Sequence, residues 1–101
     1  MEIWKNASTG ERKQFLAIST LFGGREELLS WLFDPSSVRL RFPADVLKKN
    51  CRGMSSGDQV LIKIAIDLWC EQGGVKITEL QSLDCHLRGR VLKAIEMLYV
   101  F

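Results

Sequence analysis

Apolar residues along this chain recur mostly at three- and four-residue intervals, the spacing that gathers them on one face of a helix. Phe15, Ile18, Leu21 and Phe22 follow that rhythm, while Arg12, Lys13 and Thr20 fall off the stripe. Ser8 and Glu11 stand at capping-box spacing, so the hydroxyl can accept from the Glu11 amide while the carboxylate accepts from the Ser8 amide. A first helix is therefore predicted from Ser8 to Gly23-Gly24, where paired glycines tolerate the left-handed backbone that closes helices. A second, short helix is predicted over Arg25–Phe33, with Glu26 and Glu27 at the positive end of its dipole. Asp34-Pro35 stops it, because proline cannot continue a helix and restricts the residue before it.

Val38-Arg-Leu-Arg-Phe42 alternates apolar and basic residues, which predicts a short extended segment with one face inward. A minor two-stranded pairing of this segment with Val75–Ile77 is compatible with the pattern. Pro43 suits the start of a third helix over Ala44–Cys51, ended by Gly53. The strongest element follows, at about residues 57–72. Ser55 or Ser56 caps it, Asp58 lies in its first turn, and Gly73-Gly74 come after it. Ile62, Ile64, Ile66 and Leu68 also alternate as a strand would, but the length and the caps favour a helix. From Gln59 to Glu71 only Gln59, Lys63, Asp67 and Glu71 are polar, at spacing four, and Lys63 and Asp67 are placed to pair. Everything else there is apolar, so this is the helix the others should surround.

The remaining quarter reads as Val75–Thr78, a short helix Glu79–Leu83, and a last helix at about 85–99, with Thr78 and Asp84 as N-caps. In the last helix Leu87, Val91, Ile95 and Leu98 form the inward stripe, and Leu92 and Tyr99 widen it. The fold class predicted is mainly α: one all-α domain over residues 1–101, a compact bundle of five or six short helices around a central apolar helix.

Composition narrows the classes. With 101 residues, 47% hydrophobic and 26% charged, the chain matches an ordinary globular domain rather than a disordered or collagen-like one. A net charge of +2 is too small to announce a nucleic-acid or anionic-membrane partner. Three cysteines, Cys51, Cys70 and Cys85, are an odd number without a C-x-x-C pair, which argues for reduced thiols rather than disulfides or zinc. No apolar run approaches the ~20 residues a bilayer requires. Met1–Lys5 lacks the basic-then-apolar pattern of a signal peptide, so a cytoplasmic protein with no membrane partner is expected.

Catalytic chemistry finds no purchase. The single histidine, His86, follows Asp84 and Cys85 directly, and consecutive residues diverge around a helix start instead of converging on a substrate. The glycine pairs lack phosphate-loop spacing. A non-enzymatic protein with no cofactor, metal or small-molecule substrate is expected.

Two binding classes remain. The first is a protein-interaction or adaptor domain, with a protein partner or a second copy of itself. Trp4, Trp31 and Trp69 are many for this length, Trp31 and Phe33 end a short helix, and Leu98–Phe101 are apolar. Aromatic residues are common interface anchors, which makes Trp31, Phe33, Tyr99 and Phe101 the candidate partner-binding residues. The competing fate of such aromatics is to fill the core. The second class is a DNA-binding regulatory protein with a helix-turn-helix-like C-terminal half and a recognition helix at about 85–99. Its candidate contacts are His86, Arg88, Arg90 and Lys93, with Gly89 permitting close approach. Arg39 and Arg41 belong to a second basic cluster, with Lys48, Lys49 and Arg52 against Asp45. Whether the two clusters, at 39–52 and 86–93, form one surface decides how strongly this class competes.

Overall fold

The computed structural model describes residues 7–34 and 37–99. It is all-helical in its regular elements: α1 (Thr9–Leu21), α2 (Glu26–Leu32), α3 (Ala44–Asn50), α4 (Ser56–Cys70) and α5 (Cys85–Tyr99). Two 3-10 segments, Cys51–Gly53 and Ile77–Ser82, link α3 to α4 and α4 to α5. Helix starts follow their side-chain caps. Ser8 and Glu11 form the reciprocal box, Ser55 Oγ accepts from the Asp58 amide, and Asp84 Oδ1 accepts from the Leu87 amide at 2.8 Å.

Two predicted caps fall elsewhere. Thr78 lies inside a 3-10 helix that follows Lys76 and has no side-chain cap. At the end of α4 it is Glu71, not a glycine, that takes the left-handed conformation, with φ 63°. The polar stripe of α4 also differs from expectation in its partners. Lys63 Nζ reaches Glu79 at 3.3 Å rather than Asp67. Gln59 donates to the carbonyls of Arg52 and Met54. The stripe ties flanking segments to the helix instead of pairing with itself.

Val38–Phe42 does not pair with Val75–Ile77. It folds back on the end of α2 through an isolated antiparallel bridge between Phe33 and Leu40. The Asp34 amide donates to the Arg39 carbonyl and the Arg41 amide to the Leu32 carbonyl. A short connection returns the chain beside the residues it has just left, so the nearest partner takes the hydrogen bonds.

The core centres on α4, as its pattern predicts: Leu61, Ile62, Ala65 and Ile66 are buried, together with Ile18, Leu21 and Phe22 from α1 and Leu29 and Leu32 from α2. The main partner of α5, however, is α1 rather than α4. Ala94, Val91 and Ala17 are buried, and small side chains at helix contacts let axes approach closely. The Arg90 guanidinium lies over Gly23 at the end of α1, so close that a Cβ there would stand 2.6 Å from its Cζ. Since α5 leans on α1, it stands away from α4, and the gap is bounded by the chain between them. No helix among the described residues is long and apolar enough to cross a membrane.

The thiols have three different environments. Cys51 is buried, donates to the Lys48 carbonyl at 3.2 Å, and is pushed above the usual thiol pKa by burial. Cys70 is half-buried and Cys85 exposed. Because the thiolate is the reactive form, iodoacetamide is expected to modify Cys85 first and Cys51 only after unfolding. Mass spectrometry of digested fragments checks the order; early modification of Cys51 would contradict the packing of α3.

Candidate functional site

The gap between α4 and α5 is an apolar groove of about 300 Å³. One wall is Ile64 and Leu68 of α4, and the facing wall is Val91, Ile95 and Tyr99 of α5. The third wall is the connecting chain, through Val75, Lys76, Ile77 and Leu80. Ile77 is 85% exposed, Tyr99 66% and Ile95 39%, and Leu92 stands exposed next to them on α5. Exposed apolar side chains gathered at one place are the kind of surface that proteins use to bind other molecules.

The third wall is tied at both sides. Asp67 Oδ1 accepts from the amides of Gly73 at 2.7 Å and Gly74 at 3.2 Å, and Oδ2 accepts from Val75 at 3.2 Å. The Lys63–Glu79 pair holds the 3-10 helix to α4. From α5, Arg88 Nε donates to the Leu80 carbonyl at 3.1 Å. A groove held open in this way loses little conformational entropy when it is filled.

The predicted partner-binding residues separate. Tyr99 is at the groove. Phe33 is a correction: it is completely buried, with ring centroids 5.6 Å from Phe15 and 5.0 Å from Trp69, both edge-on. Its short helix ends by turning inward, so Phe33 belongs to the core and offers nothing to a partner. Trp31 is half-buried and packs against that core. Phe101 and Trp4 lie outside the described residues.

Several predicted nucleic-acid contacts are engaged with the protein's own backbone. Arg88 bonds the Leu80 carbonyl, and Arg90 covers Gly23 and lies 3.2 Å from His86 Nε2. Arg41 donates twice to the Ser30 carbonyl, at 2.6 and 3.1 Å, and Lys48 donates to the Gln72 carbonyl at 2.9 Å. Cations at such chain ends neutralise exposed carbonyls and helix dipoles. Arg39, Lys49, Arg52, His86 and Lys93 remain exposed. Among the described residues no three His, Cys, Asp or Glu side chains form a group that could hold a metal ion.

Ile77, Ile95, Val75 and Leu80 were not singled out as site residues by the pattern, nor was Asp67 as the latch of the third wall. One signal was present. At 100° per residue, the apolar positions of α5 from Met97 round to Leu92 sweep about 220°, far wider than the ~100° a helix needs to face one core. Such an arc has a second face to fill. No protein-family model matches the chain, nor does any curated protein or solved structure show significant similarity to it.

Proposed function

We propose that this protein is a non-enzymatic interaction module that holds an apolar segment of a protein partner in the groove beside α5. The observation that carries this reading is the exposure of Ile77, Ile95 and Tyr99 around a tethered, largely apolar groove. Its one carboxylate, Asp67, is already committed to three backbone amides. A site for a small polar metabolite needs convergent polar groups that remain available, and this groove has few.

A photo-crosslinking amino acid placed at Ile77 in cells tests the proposal. Discrete protein adducts are expected from position 77, and none from a control on the far side of α1, at Lys13. Ile95→Asp should reduce the adduct about tenfold or more, since charge in a desolvated hot spot costs at least ~2 kcal/mol. A cooperative thermal transition should remain, which separates loss of the partner from loss of the fold, since Ile95, at 39% exposed, gives up some apolar packing as well. Adducts that survive Ile95→Asp would remove the groove from consideration.

The alternative, a DNA-binding regulatory protein, keeps the order α4, 3-10 helix, α5 and the exposed His86 and Lys93. It is supported less well, since Arg88 and Arg90 bond to the protein itself. Retention on duplex DNA at low salt, falling steeply as salt rises and weakened by Lys93→Ala, would favour it over the groove.

A further inference from the structure

We infer that the occupant of the groove is an acidic amphipathic helix of a partner protein, anchored by apolar side chains at positions i, i+4 and i+7. This inference rests on the interaction reading above and specifies the chemistry of the partner. The first support is the repeat of the walls. Val91, Ile95 and Tyr99 on α5, and Ile64 and Leu68 on α4, each stand four residues apart. At 1.5 Å per residue they present a side chain about every 6 Å, and Val91 to Tyr99 spans about 12 Å. An incoming helix places i and i+7 about 10.5 Å apart, so three anchors fit between the ends.

Backbone chemistry selects a helix over an extended peptide. Two of the three walls are helices, whose own backbone groups are already bonded to each other. In the third, the Val75 amide is taken by Asp67 and the Leu80 carbonyl by Arg88. An extended segment would bury backbone groups with few ladder partners, whereas a helix arrives with its hydrogen bonds made.

Charge selects the flanks. The Asp67 oxygens accept three amide bonds, and the Glu79 carboxylate is paired with Lys63. Lys76 lines the groove and is exposed, and its ammonium has no bonded partner among the described residues. Glu96 lies farther round α5, beyond Leu92. The groove therefore offers a partner the Lys76 ammonium, while the carboxylates beside it, Asp67 and Glu79, are already bonded within the protein, an arrangement that an incoming carboxylate complements.

The test uses the full chain, isotopically labelled, titrated with two synthetic helical peptides while backbone amide shifts are followed. Both peptides carry leucine at i, i+4 and i+7; one has glutamate at the flanking positions and the other lysine. The acidic peptide is expected to shift amides in 64–68, 75–80 and 91–99 and to bind about tenfold or more tightly than the lysine peptide. Lys76→Glu, an exposed change that should leave the melting temperature unaltered, is expected to shrink or reverse that preference. Equal binding of both peptides at the groove would overturn the acidic helix while leaving the interaction reading intact. Failure of both peptides would overturn the helix, and concentration-dependent sedimentation relieved by Ile95→Asp would then identify a second copy as the occupant. Shifts confined to another surface would overturn both readings together.

Discussion

Phe33→Ala is expected to lower the unfolding free energy by about 3–5 kcal/mol, the range for deleting a buried phenylalanine ring. For a domain of this size, whose total stability is of order 5–15 kcal/mol, that removes a large fraction. At roughly 4–8 °C per kcal/mol, the melting temperature should fall by at least about 12 °C in a thermal scan. The reason for so large an effect is position. Phe33 is completely buried and meets Phe15 of α1 and Trp69 of α4 edge-on. It also bridges to Leu40, so the ring site joins α1, the end of α2, α4 and the extended segment. Little around it is free to collapse into the space. A loss below 1 kcal/mol would mean that the aromatic cluster is not the joint described above.

Asp67→Ala is the second large case, with an expected cost of about 2–4 kcal/mol. Hydrogen bonds to a charged group contribute ~1.5–3 kcal/mol each but do not add fully, and three amides depend on this carboxylate. The Gly73 amide is the one that cannot turn to solvent, because Gly73 is buried beneath α4. Gly73→Ala should be comparably severe. A Cβ there would collide with the carbonyl oxygen of Lys63, a backbone atom inside a helix that cannot move aside. Amide hydrogen exchange separates this from a general loss of stability. In Asp67→Ala, protection should disappear at 73–75 at denaturant concentrations where α1 and α2 are still protected. Asp67→Asn should fall between, since its single carbonyl oxygen can keep part of the pattern. Uniform loss of protection would show that the latch is merely part of the core.

These two residues also mark where the sequence could and could not be read. The helices were legible because their signals are local: the Ser8–Glu11 box, Ser55 before Asp58, and Asp84 before Leu87 each lie within four residues. The central place of α4 followed from its nearly unbroken apolar surface. Phe33 misled because position on a short helix does not say which way the chain leaves it, and the return of Leu40 turned the ring inward. Asp67 misled because two partners were within reach. A Lys63 pair on an exposed helix face contributes only ~0.2–0.5 kcal/mol, whereas the amides of a tight turn have few other acceptors, so the turn takes the carboxylate. The basic clusters looked like a surface for phosphate, but Arg41, Lys48 and Arg88 each have a backbone carbonyl nearby that becomes apparent only after folding. The groove needed the one fact no local pattern holds, that α5 rests on α1 and leaves α4 partly uncovered.

That last arrangement also sets a timetable. α1 ends at Leu21 and its chief partner begins at Cys85, about sixty residues later. On a ribosome adding ~5–20 residues per second, α1 emerges some 3–12 s before the helix that covers it exists. During that interval its Ala17–Phe22 face has only α4 and the shorter helices to meet, and closing so long a loop has its own entropic cost. The α4-centred core can thus gather before α5 exists, whereas the groove takes shape only when α5 arrives with Val91, Ile95 and Tyr99 as its facing wall.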